Sequence, residues 1–482
     1  MRWRIYPGSA APWGKGDIRR RETMRKTGKM TLLLTVVILL FLVLSKAIQA
    51  HSPVHDPGVR GGPAGAGGAI PGLTASEQKF FDAGLEDFVE AEGVGDGLGP
   101  RFNLDSCTGC HTQPAVGGTS PAVNPQVAIA TAFGARNAVP SFITPDGPIR
   151  EARFKFKPDG TRDGSVHALY VISGRVDDTG DASGCNIAQE DFAAQLARNN
   201  VIFRIPTPMF GAGLIEMIPD SAISANLKAN ASQKAALGIF GRHHVISGVP
   251  NLHGNDGTIM RFGWKAQNKS LLVFSGEAYN VEMGITNELF QTERDETTNC
   301  QYATVPNDVT NTAGATGLDT ISAIEKFAFF MRFLAPPTPS STTPGGFTLI
   351  TNGRRVFVDI GCALCHTPTL TTGNTTVAAL RYQAVNLFSD LALHGMGPGL
   401  ADGISQGVAK GDEFRTAPLW GLGQRIFFLH DGRTKDLVQV IQAHRSAGNS
   451  RFGPSEANQV IDNFNELSED DQQDLLYFLR SL

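Results

Sequence analysis

The stretch Ser106–Pro114 reads SCTGCHTQP, and the stretch Gly361–Pro368 reads GCALCHTP. Both contain the string Cys-x-x-Cys-His, and they lie far apart in the chain. Two cysteines separated by two residues can form half of a zinc site, a redox-active dithiol or a covalent anchor for haem. The fold and the chemistry of this chain depend on which of the three is present.

The histidine that follows each cysteine pair favours haem. In a haem anchor the two thiols bond to the porphyrin and the next residue, His, ligates the iron. A zinc site would need four ligands in one place, and neither zinc nor a dithiol explains the repeated histidine. The sequence therefore predicts two covalently bound c-type haems, one held by Cys107, Cys110 and His111 and the other by Cys362, Cys365 and His366.

Residues 1–50 have the pattern of a signal peptide. A basic region precedes the apolar run Leu32–Leu44, and small residues suited to cleavage follow it. The apolar run is short of the ~20 residues that a membrane-spanning helix needs. We therefore expect a cleaved signal and a periplasmic or otherwise exported protein, with an N-terminal membrane anchor as the alternative.

The charge of the remaining chain argues against nucleic-acid binding. Residues 1–50 hold 10 Lys/Arg and 2 Asp/Glu, which leaves 32 basic and 44 acidic residues and a net charge of −12. An acidic protein is poorly suited to a polyanion and suited to a basic protein partner. Two cysteines outside the motifs, Cys185 and Cys300, are expected to form a disulfide in an oxidising compartment, the alternative being two buried thiols.

Composition divides the chain after the signal into three parts. Residues 51–73 are rich in Gly and Pro and predict a flexible lead-in. Thr74 and Glu77 then form the sequence pattern of a capping box at the start of a helix. We predict an N-terminal haem domain with a β-rich insertion over residues 74–335, and a C-terminal cytochrome c-like haem domain over 345–482.

The fold class that follows is mainly α, with two cytochrome c-like haem domains, inserted β or extended segments and long loops. Four segments rich in β-branched and aromatic residues predict strands: VHALYVISGRV, NVIFRIPTPMF, TIMRFGWKAQ and SLLVFSGEAYNV. Helices are predicted for AIEKFAFFMRFL and for the C-terminal LSEDDQQDLLYFLRSL. Phe102 and Phe357 each precede their first motif cysteine by five residues, which indicates a weak internal repeat.

The second ligand of each iron decides whether that haem carries electrons or binds a substrate. For the second haem we expect Met396, with His394 as the rival. For the first haem no histidine or methionine follows nearby, which favours an open iron. The alternative is a distant ligand brought in by folding, namely Met209, Met283 or His253.

Three further side chains are candidates for the haem surroundings. Trp264 is a candidate electron relay between the haems, although a tryptophan is more often a core residue. Gln113 and Gln126 follow the first motif and are predicted to face its pocket, unless they are solvated loop residues.

Several segments together resemble the di-haem oxidoreductase family of the bacterial di-haem cytochrome c peroxidase superfamily: GPRFNLDSCTGCHTQPAVGGTSP, RFGWKAQNKSLL, NVEMGITNELF, FLAPP, GCALCHTP, DLALHGMGPGLAD, EFRTAPLWGLG and LHDGRTKDL. The resemblance implies that the second haem receives electrons, with Met396 on its iron, and that the first haem is the peroxide site. It also implies a calcium ion between the domains. Gly395 departs from the His-Asp-Met-Gly of the family, Ala443–Gly448 departs from Trp-His-Gly-Gly-Glu-Ala, and the mobile distal histidine of many such peroxidases has no counterpart.

We therefore expect an enzyme that reduces hydrogen peroxide at the His111 haem, with electrons from a small redox protein such as a cytochrome c or a cupredoxin. Catalytic roles are expected for His111 and Trp264. A di-haem electron carrier without peroxidase activity, and an oxidase that uses oxygen or peroxide on another substrate, are the alternatives.

Overall fold

Helices dominate the computed structural model, which describes residues 53–245, 259–292 and 297–482. The predicted signal segment and His253 lie outside the described residues. The mainly α class is confirmed, while the division into two haem domains stays a prediction. The helices are α1 Ala75–Val89, α2 Cys107–Cys110, α3 Gln126–Ile129, α4 Phe192–Ala197, α5 Ala212–Glu216, α6 Asp220–Lys228, α7 Ala231–Ala236, α8 Leu271–Met283, α9 Gly317–Thr320, α10 Ala323–Phe333, α11 Phe347–Asp359, α12 Gly397–Leu400, α13 Leu437–Ala443, α14 Asn458–Asn465 and α15 Glu469–Ser481.

Strands in the described residues are short, and every pairing between them is antiparallel. One three-stranded sheet has the order β3-β2-β5, and three pairs join β1 to β4, β6 to β7 and β8 to β9. The three-stranded sheet and β4 lie between the two motifs, where the insertion was predicted, whereas β1 precedes the first motif. The strands are β1 Arg101–Phe102, β2 Glu151–Phe154, β3 Val166–His167, β4 Tyr170–Val171, β5 Val201–Arg204, β6 Leu370–Thr371, β7 Ala384–Val385, β8 Leu393–Gly395 and β9 Glu413–Arg415.

One predicted strand is a helix. The segment SLLVFSGEAYNV, which we expected to be extended, forms most of α8. Ser270 caps this helix, because its side chain accepts a hydrogen bond from the backbone N–H of Val273. Its buried residues recur at helical spacing, so that Ser275, Tyr279 and Met283 share one face. The β-branched and aromatic residues led to the wrong prediction of a strand, whereas the capping residue Ser270 indicates a helix.

A pair of crossing helices is repeated in the two halves. Gly84 of α1 packs so closely on α10 that a Cβ there would collide with the Lys326 carbonyl. The ring of Phe88, one turn further on, lies 4.7 Å from that of Phe330. Close approach of two helices needs a glycine at the crossing point.

The second pair, α11 and α15, has the same construction. A Cβ at Gly353 would collide with the Asp474 carbonyl, and the rings of Phe357 and Phe478 lie 5.4 Å apart one turn later. The residue equivalent to Phe357 is therefore Phe88. Phe102, which the predicted repeat matched to Phe357, lies in β1 instead.

The Gly/Pro-rich stretch before α1, expected to be a flexible lead-in, makes specific contacts with the C-terminal part. Asp56 forms an ion pair with Arg480, in which Oδ2 lies 2.6 Å from Nη2, and the Arg480 side chain is 1% exposed. The backbone N–H of Arg60 donates to the Gly423 carbonyl, and Val54 packs on the buried cluster that includes α11 and α15. Composition alone therefore did not predict the conformation of this stretch.

The residues from Val54 to Leu482 form one compact unit. Its largest apolar cluster surrounds α1, α8 and α10, and a second one surrounds α11 and α15. A smaller cluster combines Ile205 and Trp264 with Met396, Phe414 and Phe427, and so joins residues from both halves. Among the described residues, none of the helices is both long and apolar enough to cross a membrane.

Candidate functional site

Each Cys-x-x-Cys-His string opens on its own cavity. The first is lined by Cys107, Cys110 and His111. The second is lined by Cys362, Cys365 and His366. Because the two cysteine pairs belong to separate cavities, they do not form a four-cysteine zinc site. Consistently, no group of three or more His, Cys, Asp or Glu side chains suited to a metal ion occurs in the described residues.

Both motif histidines are held in the same way. The Nδ1 atom of His111 lies 3.0 Å from the Gly118 carbonyl oxygen, and that of His366 lies 3.1 Å from the Phe388 carbonyl oxygen. Burial lowers the pKa of each imidazole to about 4 and keeps it neutral. A neutral ring whose Nδ1–H is bound to a carbonyl has Nε2 free as a ligand, which is the usual arrangement of a metal-binding histidine.

The four motif cysteines are free thiols. Burial raises the pKa of Cys107 and of Cys362 to about 12. A redox-active dithiol needs the opposite, a thiol whose pKa is lowered so that the thiolate forms near neutral pH. The thiols are therefore unsuited to disulfide exchange, whereas covalent attachment to haem removes their titration altogether.

The second cavity contains an unpartnered cation. Arg425 is buried, its Nε and Nη2 atoms have no hydrogen-bond partner, and burial lowers its pKa to about 10. Arg415 is also buried on this wall, and its Nε donates to the Gly263 carbonyl. A buried guanidinium without a carboxylate is costly unless a ligand supplies the anion. The two carboxylates of a haem would do so, and the residues present therefore fit that group.

Met396, the second iron ligand predicted from the sequence, lines the second cavity together with His366. Its rival His394 has both ring nitrogens engaged, Nε2 by Asp390 at 3.0 Å and Nδ1 by Glu456 at 2.8 Å. Burial acts to lower the pKa of His394, but Cys365 and Asp390 raise it well above the ordinary value. A histidine with two carboxylate partners has no nitrogen to offer to iron.

Two further histidines line this cavity, His430 and His444, and the sequence analysis assigned neither of them as an iron ligand. The Nδ1 atom of His444 lies 2.7 Å from the Val440 carbonyl oxygen, which repeats the arrangement of the two motif histidines. Burial lowers its pKa, so the ring is neutral. His444 thus competes with Met396 as the second ligand. In the sequence, the stretch Ala443–Gly448 differs from the family pattern around His444 but keeps the histidine itself.

The wall of the first cavity is rich in ionisable groups. Glu151 and Glu282 are bound to each other there, and Glu151 pairs with Arg153 at 2.5 Å. Burial and the Glu151 carboxylate raise the pKa of Glu282 well above its usual range, while Asn103 donates to Glu282 at 2.7 Å. Burial acts in the same direction on Glu151, but Arg153 holds its pKa below the ordinary value. One carboxyl of the pair is therefore protonated and the other is ionised.

Two of the three distant residues considered as ligands of the first iron line the first cavity. Met209 and Met283 both line the first cavity, and they remain candidates for the second axial position. Gln126 also lines it, held by hydrogen bonds with the backbone of Arg150. Gln113 instead donates to the Gln424 carbonyl at 3.0 Å.

Trp264 lies on the walls of both cavities. Its indole N–H donates to the Ile205 carbonyl at 2.9 Å, and the Ile205 N–H donates to the His430 carbonyl at 2.8 Å. The ring of His430 lies 6.4 Å from the indole, and the guanidinium of Arg425 lies 6.0 Å from it. The sequence-predicted relay residue therefore occupies the position that a relay requires, and its role stays a prediction.

Cys185 and Cys300 form a disulfide in the structure, within the insertion between the two motifs. The calcium ion implied by resemblance has no assigned ligands and stays a prediction. The structure thus places the two motifs in two cavities, with Trp264 lining both.

Comparison with known proteins agrees with this geometry. The sequence profile of the family described as "Di-haem oxidoreductase, putative peroxidase" matches residues 157–482, more than half of the chain. This chain belongs to the di-haem oxidoreductase family. None of the curated proteins matches the sequence.

Two solved structures are similar to this di-haem oxidoreductase at a low level. Hydrazine synthase of Kuenenia stuttgartiensis shares 16% identity over 58% of this chain and 72% of its own, with a TM-score of 0.28. A MauG-like protein associated with microbial copper homeostasis shares 14% identity over 55% of this chain and 89% of its own, with a TM-score of 0.27. Similarity at this level carries no argument about the chemistry of this chain.

Proposed function

We propose that this di-haem oxidoreductase reduces hydrogen peroxide at the His111 haem with electrons that enter through the His366 haem. The observation that carries the proposal is the contrast between two cavities joined by Trp264. The first contains a proton-bearing carboxyl pair, and the second contains candidate ligands and buried cations. A proton source belongs beside the site of peroxide cleavage, and a doubly ligated iron belongs at the entry of electrons.

When bound, the haem of the first cavity would supply an iron that takes up peroxide and delivers electrons to it. The protein supplies the protons. Reduction of peroxide to two waters consumes two electrons and two protons, and Glu282 holds one proton in the cavity because its carboxyl stays neutral. The hydrogen bond from Asn103 and the one that Glu282 donates to the Glu151 carboxylate fix that carboxyl, so it is poised to protonate the departing oxygen.

Trp264 borders both cavities, and this position supports an electron route through its side chain. Its backbone is fixed as well as its ring, since the N–H of Arg415 in β9 donates to the Trp264 carbonyl at 2.9 Å. We assign it the transfer of electrons from the second haem to the first.

Export and the electron donor complete the proposal. The Cys185–Cys300 disulfide suits an oxidising compartment, and the predicted signal segment would take the chain there. The net negative charge of the remaining chain favours a basic donor, for which a small cytochrome c or a cupredoxin is suitable.

The test combines spectroscopy and turnover on the protein with both haems attached. Electron paramagnetic resonance of the oxidised protein should show one high-spin and one low-spin haem, and cyanide should bind only the first. Glu282→Gln should lower the rate of peroxide reduction by roughly 100-fold, since a positioned proton donor contributes about that much. The matched variant Glu277→Gln, which lines the same cavity but hydrogen-bonds Asn268, should change the rate little.

A second candidate function is electron transfer without catalysis, and the presence of Met209 and Met283 in the first cavity favours it. If either thioether ligates the iron, both haems are closed to substrate. Two low-spin signals, and no cyanide binding in any redox state, would establish this carrier function and exclude the peroxidase.

A further inference from the structure

A buried tyrosine–carboxylate pair adjoins the first cavity. Tyr279 of α8 lines the cavity and is 6% exposed, and its hydroxyl donates to Oε1 of Glu92 at 2.8 Å. Glu92 is 8% exposed and lies between α1 and the first haem motif, where its N–H donates to the Asp105 carbonyl. Neither residue has a part in the peroxide chemistry described above.

An aromatic path leads from Tyr279 to the iron ligand. The ring of Tyr279 lies 5.1 Å from that of Phe327, and Phe327 lies 6.3 Å from Phe88. Phe88 in turn lies 6.3 Å from the imidazole of His111. The phenol is therefore connected to the first haem site by successive ring contacts.

Trp264 and Tyr279 both line this cavity and both donate a hydrogen bond, but only the acceptor of Tyr279 can take up a proton. The indole of Trp264 donates to a backbone carbonyl, which cannot take up a proton, and it faces the guanidinium of Arg425. Electrons can pass by way of the indole, but a lasting radical there would leave a cation beside another cation. Tyr279 donates to a carboxylate, so its oxidation can release the proton to a base and leave a neutral radical.

We propose that Tyr279 is a redox-active residue that delivers one electron to the first haem and its phenolic proton to Glu92. This inference rests on the proposed peroxide reduction, because peroxide is the oxidant. In the step the phenol O–H bond breaks, the proton forms a new O–H bond on Glu92, and the electron reduces the haem that peroxide has oxidised. An electron from the second haem through Trp264, and the proton from Glu92, then restore the phenol.

The test is freeze-quench electron paramagnetic resonance after peroxide is added to the protein with both haems oxidised. We expect a protein radical whose spectrum narrows when the protein is produced with ring-deuterated tyrosine. Tyr279→Phe should abolish the signal, and Glu92→Gln should slow its formation by roughly 100-fold because the proton acceptor is lost. Haem absorption spectra identical to the wild type would show that both variants are folded and loaded.

The matched control is Tyr170→Phe. Tyr170 is equally buried, but its hydroxyl donates to the backbone carbonyl of Gln126 and so lacks a base. Its replacement should leave the radical unchanged. A signal that persists in Tyr279→Phe, or no radical although peroxide changes the haem spectrum, overturns this inference alone. If peroxide leaves the haem spectrum unchanged, both this inference and the proposed peroxidase function fail.

Discussion

The two haem cavities are alike where the haem would be attached and different everywhere else. Each has a helix pair crossing at a glycine, a phenylalanine beside the motif histidine, and an imidazole bound through Nδ1 to a carbonyl. The first cavity then adds a carboxyl pair in which the pKa of Glu282 is raised. The second adds Glu456, whose pKa burial would raise but His394 lowers. The elements that would attach the haem thus form a repeated structural unit. The other residues that line each cavity determine what chemistry its haem can perform.

The largest effect should come from removing one anchor at a time. Cys107→Ala with Cys110→Ala should reduce the covalent haem from two per chain to one and abolish peroxide reduction. Cys362→Ala with Cys365→Ala should also leave one haem, while cyanide still binds it. Pyridine haemochrome assays and haem-stained gels measure the content. Two haems in either double variant would contradict the assignment of the motifs.

A second difference concerns the ligand opposite His366. The sequence predicts Met396, but the fixed ring of His444 leads us to favour the histidine. His444→Leu should then convert the second haem from low spin to high spin, and Met396→Leu should leave it low spin. The reverse result, together with loss of the sulfur-to-iron charge-transfer band in Met396→Leu, would restore the methionine and its higher potential.

The disulfide should make the stability of the two halves unequal. It joins residues separated by 115 positions, for which the loop-entropy relation gives about 5 kcal/mol. Replacing Cys185 and Cys300 by Ala should lower the free energy of unfolding by up to that amount. Urea unfolding followed by haem absorption should show the loss at the first haem before the second. An unchanged midpoint would mean that the bridge contributes no stability.

The crossing glycines test whether the attachment units are equivalent. Gly84→Ala and Gly353→Ala should each destabilise the protein by about 1–3 kcal/mol, because a Cβ would force the paired helices apart. Gly317→Ala is the matched control, since a Cβ there meets Phe80 only at 3.9 Å. Thermal unfolding checks all three variants. A large loss of stability in only one of the two variants would show that the two helix crossings contribute unequally to stability.

The smallest effects should be opposite pH dependences. Burial raises the pKa of Glu92 to about 7, so its contribution to stability is full below pH 4.5 and is lost as the pH rises through 7. Glu456 behaves in the opposite way. Burial opposes its ionisation, but His394 lowers its pKa to about 2, so its contribution is full above 4.5 and is lost as the pH falls to 2.

Glutamine variants separate these two contributions. The wild type should lose up to about 3 kcal/mol of folding stability between pH 4.5 and 7 through Glu92, and Glu92→Gln should not show this loss. Glu456→Gln should lower the free energy of unfolding by a similar amount at neutral pH. Denaturant unfolding of each variant against the wild type at pH 5 and pH 8 measures both. Parallel pH curves for Glu92→Gln and the wild type would contradict the raised pKa.

Sequence alone was sufficient for the parts that repeat. The motifs and the capped helices α1, α10 and α15 follow from local patterns, and the Cys185–Cys300 pairing follows from the two cysteines left outside the motifs. The walls did not follow, because Glu92, Tyr279 and Glu151 come from distant segments and become a site only through tertiary packing. The helix α8 was mistaken for a strand because its aromatic and β-branched residues outweighed its capping serine.

The ion pair between Asp56 and Arg480 has a consequence for the order in which the chain is assembled. Arg480 follows Asp56 by 424 residues and is therefore synthesised much later. Because chains are made and begin to fold from the N-terminus, this contact can form only after both motif regions between the two residues have been made. Closing it is therefore a late event of folding, and a chain truncated before α15 would leave Asp56 without this partner.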